Sequence, residues 1–217
     1  MKHIVAHVPV SPFQMNAWIC GNPDTREAVL IDAGADPSKL NGLIAMNDLK
    51  LVAILQTHAH WDHAGALRVM QEQHGVPVTV HKQELPIYNA LEEQGSRFGL
   101  PPVPNPLPPD HLVEDGESFE VAGMTVKAHF LPGHTPGSVA FEIGDHLFVG
   151  DVLFSGSIGR TDLPGGSPSV MTGSLRKLFE LRDDLKVHSG HGPDTTIGRE
   201  RASNPFVKHV LSGGSLG

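Results

Sequence analysis

The stretch that decides the fold is Thr57-His58-Ala59-His60-Trp61-Asp62-His63, which follows a predicted buried strand at residues 51–56 and leads into a predicted helix. His58 and His60 are two residues apart, so their side chains point the same way on extended backbone. Asp62 and His63 lie at the turn into the helix and project differently. These four ligand-type side chains can therefore face two ions. The alternative interpretation makes Asp62 an ordinary helix N-cap and the histidines incidental.

Three further motifs place the same residue types after predicted strands. His134 lies in the loop Pro132-Gly133-His134-Thr135-Pro136-Gly137-Ser138, Asp151 follows an apolar run at residues 147–149, and His191 is flanked by two glycines. Taken singly, each is equally consistent with a surface histidine or a turn aspartate. Together with the first motif they give five histidines and two aspartates, which is enough for two ions. Nitrogen and oxygen ligands without thiolates suit Zn²⁺ and also tolerate iron or manganese.

The rest of the pattern favours an α+β fold in which strands outnumber helices. Residues 101–110 are rich in proline and form a connector, and residues 155–169 form a long loop. Single helices between groups of strands favour two sheets packed face to face with helices outside, a four-layer arrangement. The predicted helices are residues 36–47 with Asp36 as N-cap and Pro37 at the first helical position, 63–74, 83–98, 170–181, and a last one from near Ile197.

Composition limits the classes of function. The 217 residues carry a formal net charge of −8 with neutral histidines, which argues against extended contact with nucleic-acid phosphates. The one cysteine, Cys20, excludes an internal disulfide and a thiolate-rich metal site, and a core strand is where we expect it to pack. Residues 1–10 lack the pattern of a secretory signal, and no apolar stretch approaches the roughly 18 residues of a spanning helix. We therefore expect a soluble cytoplasmic protein without membrane contact.

In order and character, these seven side chains resemble the signature of the metallo-β-lactamase superfamily, H-x-H-x-D-H followed by a distant His, an Asp and a last His. The resemblance extends from Leu30-Ile31-Asp32 to His191. It implies an αββα sandwich, a single metallo-β-lactamase-like domain over residues 1–217, with the site at one edge. It also implies that the first metal is held by His58, His60 and His134, the second by Asp62, His63 and His191, and that Asp151 bridges them.

Within the superfamily the chain looks most like the glyoxalase II group, the hydroxyacylglutathione hydrolases. The likeness is carried by Gly133-His134-Thr135-Pro136-Gly137-Ser138, by Gly150-Asp151 leading to Gly159-Arg160-Thr161-Asp162, and by Asn204-Pro205-Phe206. The chain ends at Gly217, which predicts a short form without the helical C-terminal domain that helps to hold glutathione. Arg160 and Asp162 stand where the two-domain enzymes place a Lys and a Tyr. The Arg-Thr-Asp triplet is instead similar to the persulfide dioxygenases, a sister group that uses one iron.

The resemblance implies hydrolysis of a small glutathione thioester such as S-lactoylglutathione, with two divalent ions as cofactors, Zn²⁺ first and iron or manganese as alternatives. The nucleophile expected is hydroxide, because a divalent ion lowers the pKa of bound water to about 7. Asp62 is expected to orient it. Arg160 is expected to bind a glutathione carboxylate, unless it pairs with Asp162 and only stiffens its loop. The alternatives for the reaction are an iron-dependent persulfide dioxygenase, a lactonase and a phosphodiesterase.

The first prediction concerns the number of ions. Seven ligand side chains are more than one ion needs, so the metal-loaded protein is expected to hold two ions per chain. Elemental analysis of the purified protein, with the protein concentration measured independently, gives the ratio. One ion per chain, with Asp62 and His63 uncoordinated, would contradict the prediction and favour the dioxygenase.

Overall fold

Short apolar segments form strands, and the helices lie between groups of them. The computed structural model describes residues 2–97 and 99–217. The strands are β1 (Ile4–Val10), β2 (Met15–Gly21), β3 (Glu27–Ile31), β4 (Lys50–Leu55), β5 (Val78–His81), β6 (His111–Val113), β7 (Ser118–Val121), β8 (Met124–Phe130), β9 (Val139–Ile143), β10 (His146–Gly150), β11 (Leu153–Phe154), β12 (Ser157–Ile158), β13 (Lys186–Ser189) and β14 (Thr195–Thr196). The helices are α1 (Pro37–Met46), α2 (Trp61–Ala64), α3 (Leu67–His74), α4 (Leu85–Tyr88), α5 (Leu91–Arg97), α6 (Pro168–Leu178), α7 (Ile197–Ser203) and α8 (Pro205–Leu211). None of the helices in the described ranges has the length and apolar character that crossing a membrane requires.

Twelve of these strands form two six-stranded sheets. The first has the order β1-β2-β3-β4-β5-β6, in which β1 to β3 are antiparallel neighbours and β3 to β6 run parallel. Parallel neighbours need a crossover connection, and α1 to α5 lie in the connections between β3 and β6. The second sheet has the order β14-β13-β10-β9-β8-β7 and is antiparallel except for β10 and β13.

Three apolar clusters separate the sheets from each other and from the helices. On β2, Ile19 packs with α1 and α3 on the outside of the first sheet, whereas Cys20 packs between the sheets, because successive side chains on a strand point to opposite faces. On the outside of the second sheet, Leu147 and Val149 of β10 pack with Leu175 of α6. The predicted αββα sandwich is therefore confirmed. Burial raises the pKa of the Cys20 thiol to about 12, which suits the packing role expected of it.

One edge of the sandwich collects loops from both sheets. The N–H of Val139, at the start of β9, donates to the carbonyl of Thr57, after β4, over 3.0 Å. The carbonyl of Gly190, after β13, accepts from the N–H of Asn16 over 2.7 Å, and its own N–H donates to Gly150 over 2.8 Å. These bonds hold the segments that carry the predicted ligands at the same edge.

The helix predicted at residues 63–74 is instead two helices, α2 and α3. α2 begins at Trp61, so Asp62 lies in its first turn and is not the N-cap that the alternative interpretation required. The break occurs because the N–H of Ala66 donates to two carbonyls of the β3–α1 connection, at 2.9 and 3.0 Å. A contact that is distant in sequence therefore ends the helix.

Asp36 occupies the predicted N-cap position and Pro37 begins α1, but the side chain of Asp36 does not cap the helix in the usual way. Asp36 has φ 51° and ψ 64°, and its side chain makes no capping bond. The carboxylate accepts instead from the N–H of Ser11 over 3.2 Å and from Lys39 Nζ over 3.0 Å. It therefore ties the start of α1 to the β1–β2 turn.

Three other segments are more divided than the sequence predicts. In place of the helix predicted at residues 83–98, the structure has a 3-10 turn, Lys82–Glu84, followed by α4 and α5. Phe98 lies outside the described residues. The loop predicted at residues 155–169 contains β12, which pairs with β11. The final helix stops at Asn204, whose extended backbone is typical of a residue that precedes proline, and α8 then begins.

Candidate metal centre

The first ligand loop connects β4 to α2. The Gln56 side-chain amide donates to the carbonyls of His58 and His63, both over 2.7 Å. These two bonds fold the loop back on the first turn of the helix. As a result His58 is 1% and His63 is 0% exposed, and both rings lie within the protein at the sheet edge.

His58, His60 and His134 form one group of possible metal ligands. One ring nitrogen of each lies within 4.8 Å of the others. His60 Nδ1 is 2.9 Å from His134 Nε2, and the His58 ring stands nearly perpendicular to both of the other rings. The loop after β4 and the loop before β9 thus meet in the arrangement expected for the first metal.

Asp62, His63 and His191 form a second group. Asp62 Oδ2 lies 3.2 Å from His191 Nε2 and 4.0 Å from His63 Nε2. The first two of these residues come from α2 and the third from the loop after β13. This is the set expected for the second metal.

Asp151 lies between the two groups. Its Oδ2 is 3.7 Å from His134 Nε2 of the first group and 3.7 Å from His191 Nε2 of the second. Its Oδ1 is 3.3 Å from His63 Nε2. A carboxylate in this position is within reach of ions in both groups, as a bridging role requires.

The histidine rings are oriented by acceptors on their outer side. His63 Nδ1 faces Asp32 Oδ2 over 2.8 Å, His134 Nδ1 faces the Arg160 carbonyl over 2.7 Å, and His191 Nδ1 faces the Phe13 carbonyl over 3.2 Å. Carboxylate and carbonyl oxygens can only accept, so the proton of each neutral ring lies on Nδ1. The Nε2 lone pairs are then directed to the centre, as metal ligands need.

The pKa shifts favour the ligand forms in the first group. Burial, and then the neighbouring His63, holds the pKa of His58 well below its usual range. Burial and His134 lower the pKa of His60 to about 3. For Asp151, burial opposes ionisation, but the nearby His63 outweighs it and the pKa falls below the usual range. At neutral pH the first group therefore offers unprotonated imidazoles, and Asp151 is ionised.

Unmatched polar atoms show that the residues fit a pair of cations. His58 Nε2, His63 Nε2 and Asp151 Oδ1 are buried and have no hydrogen-bond partner in the protein. A buried polar atom without a partner costs free energy, whereas a lone pair on a metal ion is satisfied. The His/Asp clusters can thus hold a dinuclear centre.

Asp32, at the end of β3, supports the second group. Its Oδ1 accepts from the N–H of Thr57 over 2.7 Å, and its Oδ2 accepts from the Thr57 hydroxyl over 2.7 Å as well as from His63 Nδ1. The Thr57 oxygen is in turn 3.1 Å from His58 Nδ1. One buried carboxylate therefore orients His63 directly and His58 through Thr57.

Glu84 joins the two ligand loops of the first group. Its side chain is fully buried and accepts from the N–H of Ala59, between His58 and His60, over 2.8 Å. It also accepts from the Thr135 hydroxyl over 2.7 Å and the Gly137 N–H over 2.9 Å, next to His134. Burial raises the pKa of Glu84 while these three donors oppose the rise.

The sequence analysis found all seven candidate ligands but assigned no role to these supporting carboxylates. Asp32 offered a usable signal, since it follows an apolar strand in the same way as Asp151. Glu84 offered none: it lies in a polar segment predicted as one continuous helix. Its function depends on contacts with residues 25 and 51 to 53 positions away.

Arg160 makes the ion pair with Asp162 that was expected as the alternative to substrate binding, and it also lies in the wall of the cavity over the centre. Its guanidinium pairs with Asp162 through two bonds, of 2.7 and 2.8 Å, and its side chain is 62% exposed. It also lines a cavity of about 730 Å³ together with Asp62, Asp151 and His191. A ligand in this cavity, which we call the main cavity, would reach both the candidate ligands and the guanidinium.

Several known proteins are similar to this chain over nearly its whole length. The family model of the metallo-beta-lactamase superfamily matches residues 10–191. The hydroxyacylglutathione hydrolase GloC of Haemophilus influenzae is 39% identical over 204 residues, which cover 92% of this chain and 96% of GloC. The solved structure of the BLEG-1 B3 metallo-beta-lactamase is similar with a TM-score of 0.87 and 38% identity, covering 94% of this chain and 99% of that one. That of TTHA1623 in a di-iron-bound form is similar with a TM-score of 0.84 and 40% identity, covering 93% and 99%.

The second prediction concerns Asp32. In Asp32→Asn the amide NH₂ would face the proton on His63 Nδ1, so the ring is expected to move its proton to Nε2 and lose its metal-facing lone pair. Substitutions of residues that orient metal ligands lower metal affinity by about 10–100-fold. Competition with a chromogenic chelator measures the affinity, and circular dichroism checks the fold.

Asp36→Ala is the matched control, because this aspartate lies in the same β3–α1 connection and its carboxylate bonds only to Ser11 and Lys39 among the described residues. It is expected to keep wild-type metal affinity. An Asp32→Asn protein that folds and binds metal as tightly as wild type would show that Asp32 does not control the His63 ring.

Proposed function

Because the chain belongs to the metallo-β-lactamase superfamily, we propose that it is a metal-dependent hydrolase of glutathione thioesters. The observation that carries this proposal is the position of Asp151 between two groups of nitrogen and oxygen ligands that line one open cavity. The likeness to a hydroxyacylglutathione hydrolase over nearly the whole of both chains supports the choice of thioester.

The first ion would be held by His58, His60 and His134, the second by Asp62, His63 and His191, and Asp151 would bridge them. Two divalent ions, which we propose to be Zn²⁺, would polarise the thioester carbonyl of the substrate and lower the pKa of bound water to about 7.

Asp62 and Asp151 define the acid–base character of the cavity. For Asp62, burial opposes ionisation, but His63 outweighs it and the pKa lies below the usual range, as it does for Asp151. Both carboxylates are thus ionised at neutral pH, so neither can donate a proton, and Asp62 can orient the attacking water by accepting a hydrogen bond from it. A thioester suits this arrangement, because a thiol has a pKa of about 8.5 and its thiolate leaves without a strong acid.

A persulfide dioxygenase is the second candidate. The Arg160–Asp162 ion pair belongs to the Arg-Thr-Asp triplet that distinguishes this chain from the two-domain glyoxalase II pattern. The two reactions differ in their use of oxygen, since hydrolysis of a thioester releases a thiol without consuming oxygen, whereas oxidation of a persulfide consumes it.

The third prediction tests the reaction. The metal-loaded protein is expected to release free thiol from S-lactoylglutathione, to lose this activity with a chelator and to regain it with Zn²⁺. A thiol reagent measures the glutathione released. In parallel assays, an oxygen electrode measures oxygen consumption with glutathione persulfide as substrate, and a chromogenic cephalosporin tests β-lactam hydrolysis. Oxygen consumption with glutathione persulfide, or cleavage of the cephalosporin, without thiol release from S-lactoylglutathione would overturn the proposal.

The fourth prediction concerns Arg160. If its guanidinium binds a glutathione carboxylate, Arg160→Ala is expected to raise KM roughly tenfold or more with little change in kcat, since charge-assisted bonds contribute about 1.5–3 kcal/mol and uniform binding is lost. Steady-state kinetics with S-lactoylglutathione give both constants.

Asp162→Ala provides the control, because it removes the partner and leaves the cation. A binding role predicts an unchanged or lower KM in this variant, since the guanidinium is freed. If Asp162→Ala and Arg160→Ala instead lower kcat and thermal stability to the same degree, the pair only stiffens its loop.

A further inference from the structure

A second cavity, of about 300 Å³, opens beside the main cavity. Both cavities have His60, Gln94 and Leu163 in their linings. Since His60 belongs to the first group of candidate ligands, the second cavity reaches the reaction centre. We call it the side recess.

The walls of the side recess are apolar and short of hydrogen-bond donors. Its apolar lining consists of Pro86, Ile87, Ala90, Pro136, Leu163, Pro164 and Gly165. The three prolines have no backbone N–H to offer. Gly165, at φ +89°, packs so closely on Pro136 that a Cβ would lie 2.9 Å from its Cδ, and also 3.9 Å from Ile87 Cδ1. These contacts close one side of the recess.

The polar groups in this lining already have partners. The Gln94 amide donates to the carbonyls of Ala59 and Ile87, over 2.9 and 3.1 Å, and accepts from the N–H of Trp61 over 3.1 Å. Arg97 is 66% exposed and pairs with Glu93 over 3.0 Å. A charged ligand group among the prolines and aliphatic side chains, away from Arg97, would therefore lose its hydration without equivalent bonds in return.

We propose that the side recess binds the acyl chain of the substrate, and that the enzyme prefers thioesters with an apolar acyl group longer than lactoyl. This inference rests on the proposed hydrolysis of thioesters. The glutathione part carries two carboxylates and an ammonium group, which suit the wide main cavity with Arg160 in its lining. The acyl part of such a substrate is the only portion that an apolar recess accepts without a desolvation cost.

The reaction itself balances with water alone. The C–S bond of the thioester breaks, the oxygen of water becomes part of the new carboxylate, and the thiolate takes up a proton in solution. The products are thus a carboxylate whose chain lies in the recess and a free thiol in the main cavity. This separation allows the two halves of the substrate to be tested independently.

The fifth prediction concerns the acyl-chain length. Across S-acetyl-, S-butanoyl- and S-hexanoylglutathione, kcat/KM is expected to rise roughly two- to fourfold per methylene, the gain for a methylene that is partly to fully buried. Ala90→Phe fills the recess and is expected to abolish this rise while acetyl turnover stays within a few-fold. Asn89→Phe puts the same ring on the adjacent exposed residue, outside the recess lining, and is expected to keep it.

Product binding supplies a test that does not depend on glutathione. Calorimetry is expected to show that hexanoate binds the metal-loaded protein at least tenfold more tightly than acetate, and that Ala90→Phe removes the difference. If no acylglutathione is hydrolysed at any chain length, the proposed function fails, but the recess is still judged by this comparison. Equal binding of hexanoate and acetate to wild type, or a preference for hexanoate that survives in Ala90→Phe, would overturn the inference.

Discussion

The structure depends on the hydrogen bonds of two buried carboxylates, Asp32 and Glu84, to the loops that carry the candidate ligands. Each accepts three bonds from loop donors, and bonds of this type to a charged group contribute about 1.5–3 kcal/mol each. The loops they hold follow β4 and β8, which belong to two different sheets. These bonds hold the histidine rings close together although their unprotonated nitrogens face one another.

This support explains how the centre can keep unmatched polar atoms. His58 Nε2, His63 Nε2 and Asp151 Oδ1 are buried without hydrogen-bond partners, which is unfavourable unless cations satisfy them. On the outer side of the site, by contrast, the polar ring atoms have partners, because the Nδ1 atoms of His63, His134 and His191 all face acceptors. The fold therefore fixes the rings from outside and leaves the inner nitrogens for metal ions.

The two cavities beside the candidate metal centre differ in the polarity of their walls. The main cavity contains the candidate ligands and the guanidinium of Arg160, whereas the side recess is bounded by prolines and aliphatic side chains. Gln94 and Leu163 line both, so a substrate with one charged half and one apolar half could occupy both cavities at once. A thioester of a polar thiol has this form.

The sequence by itself determined the seven candidate ligands and, through them, the superfamily resemblance that implies the four-layer fold, because ligand spacing is a local property of the chain. Local pattern also predicted the strand at residues 51–56, which the structure places at Lys50–Leu55. It failed where a distant contact competes with local preference: Ala66 bonds to the β3–α1 connection and breaks a helix, and the N-cap residue Asp36 accepts a bond from Ser11 with its side chain instead of capping α1. The roles of Asp32 and Glu84, the proton positions on the rings and the side recess could be decided only by the tertiary structure. Each depends on residues that are far apart in sequence and become neighbours when the two sheets pack together.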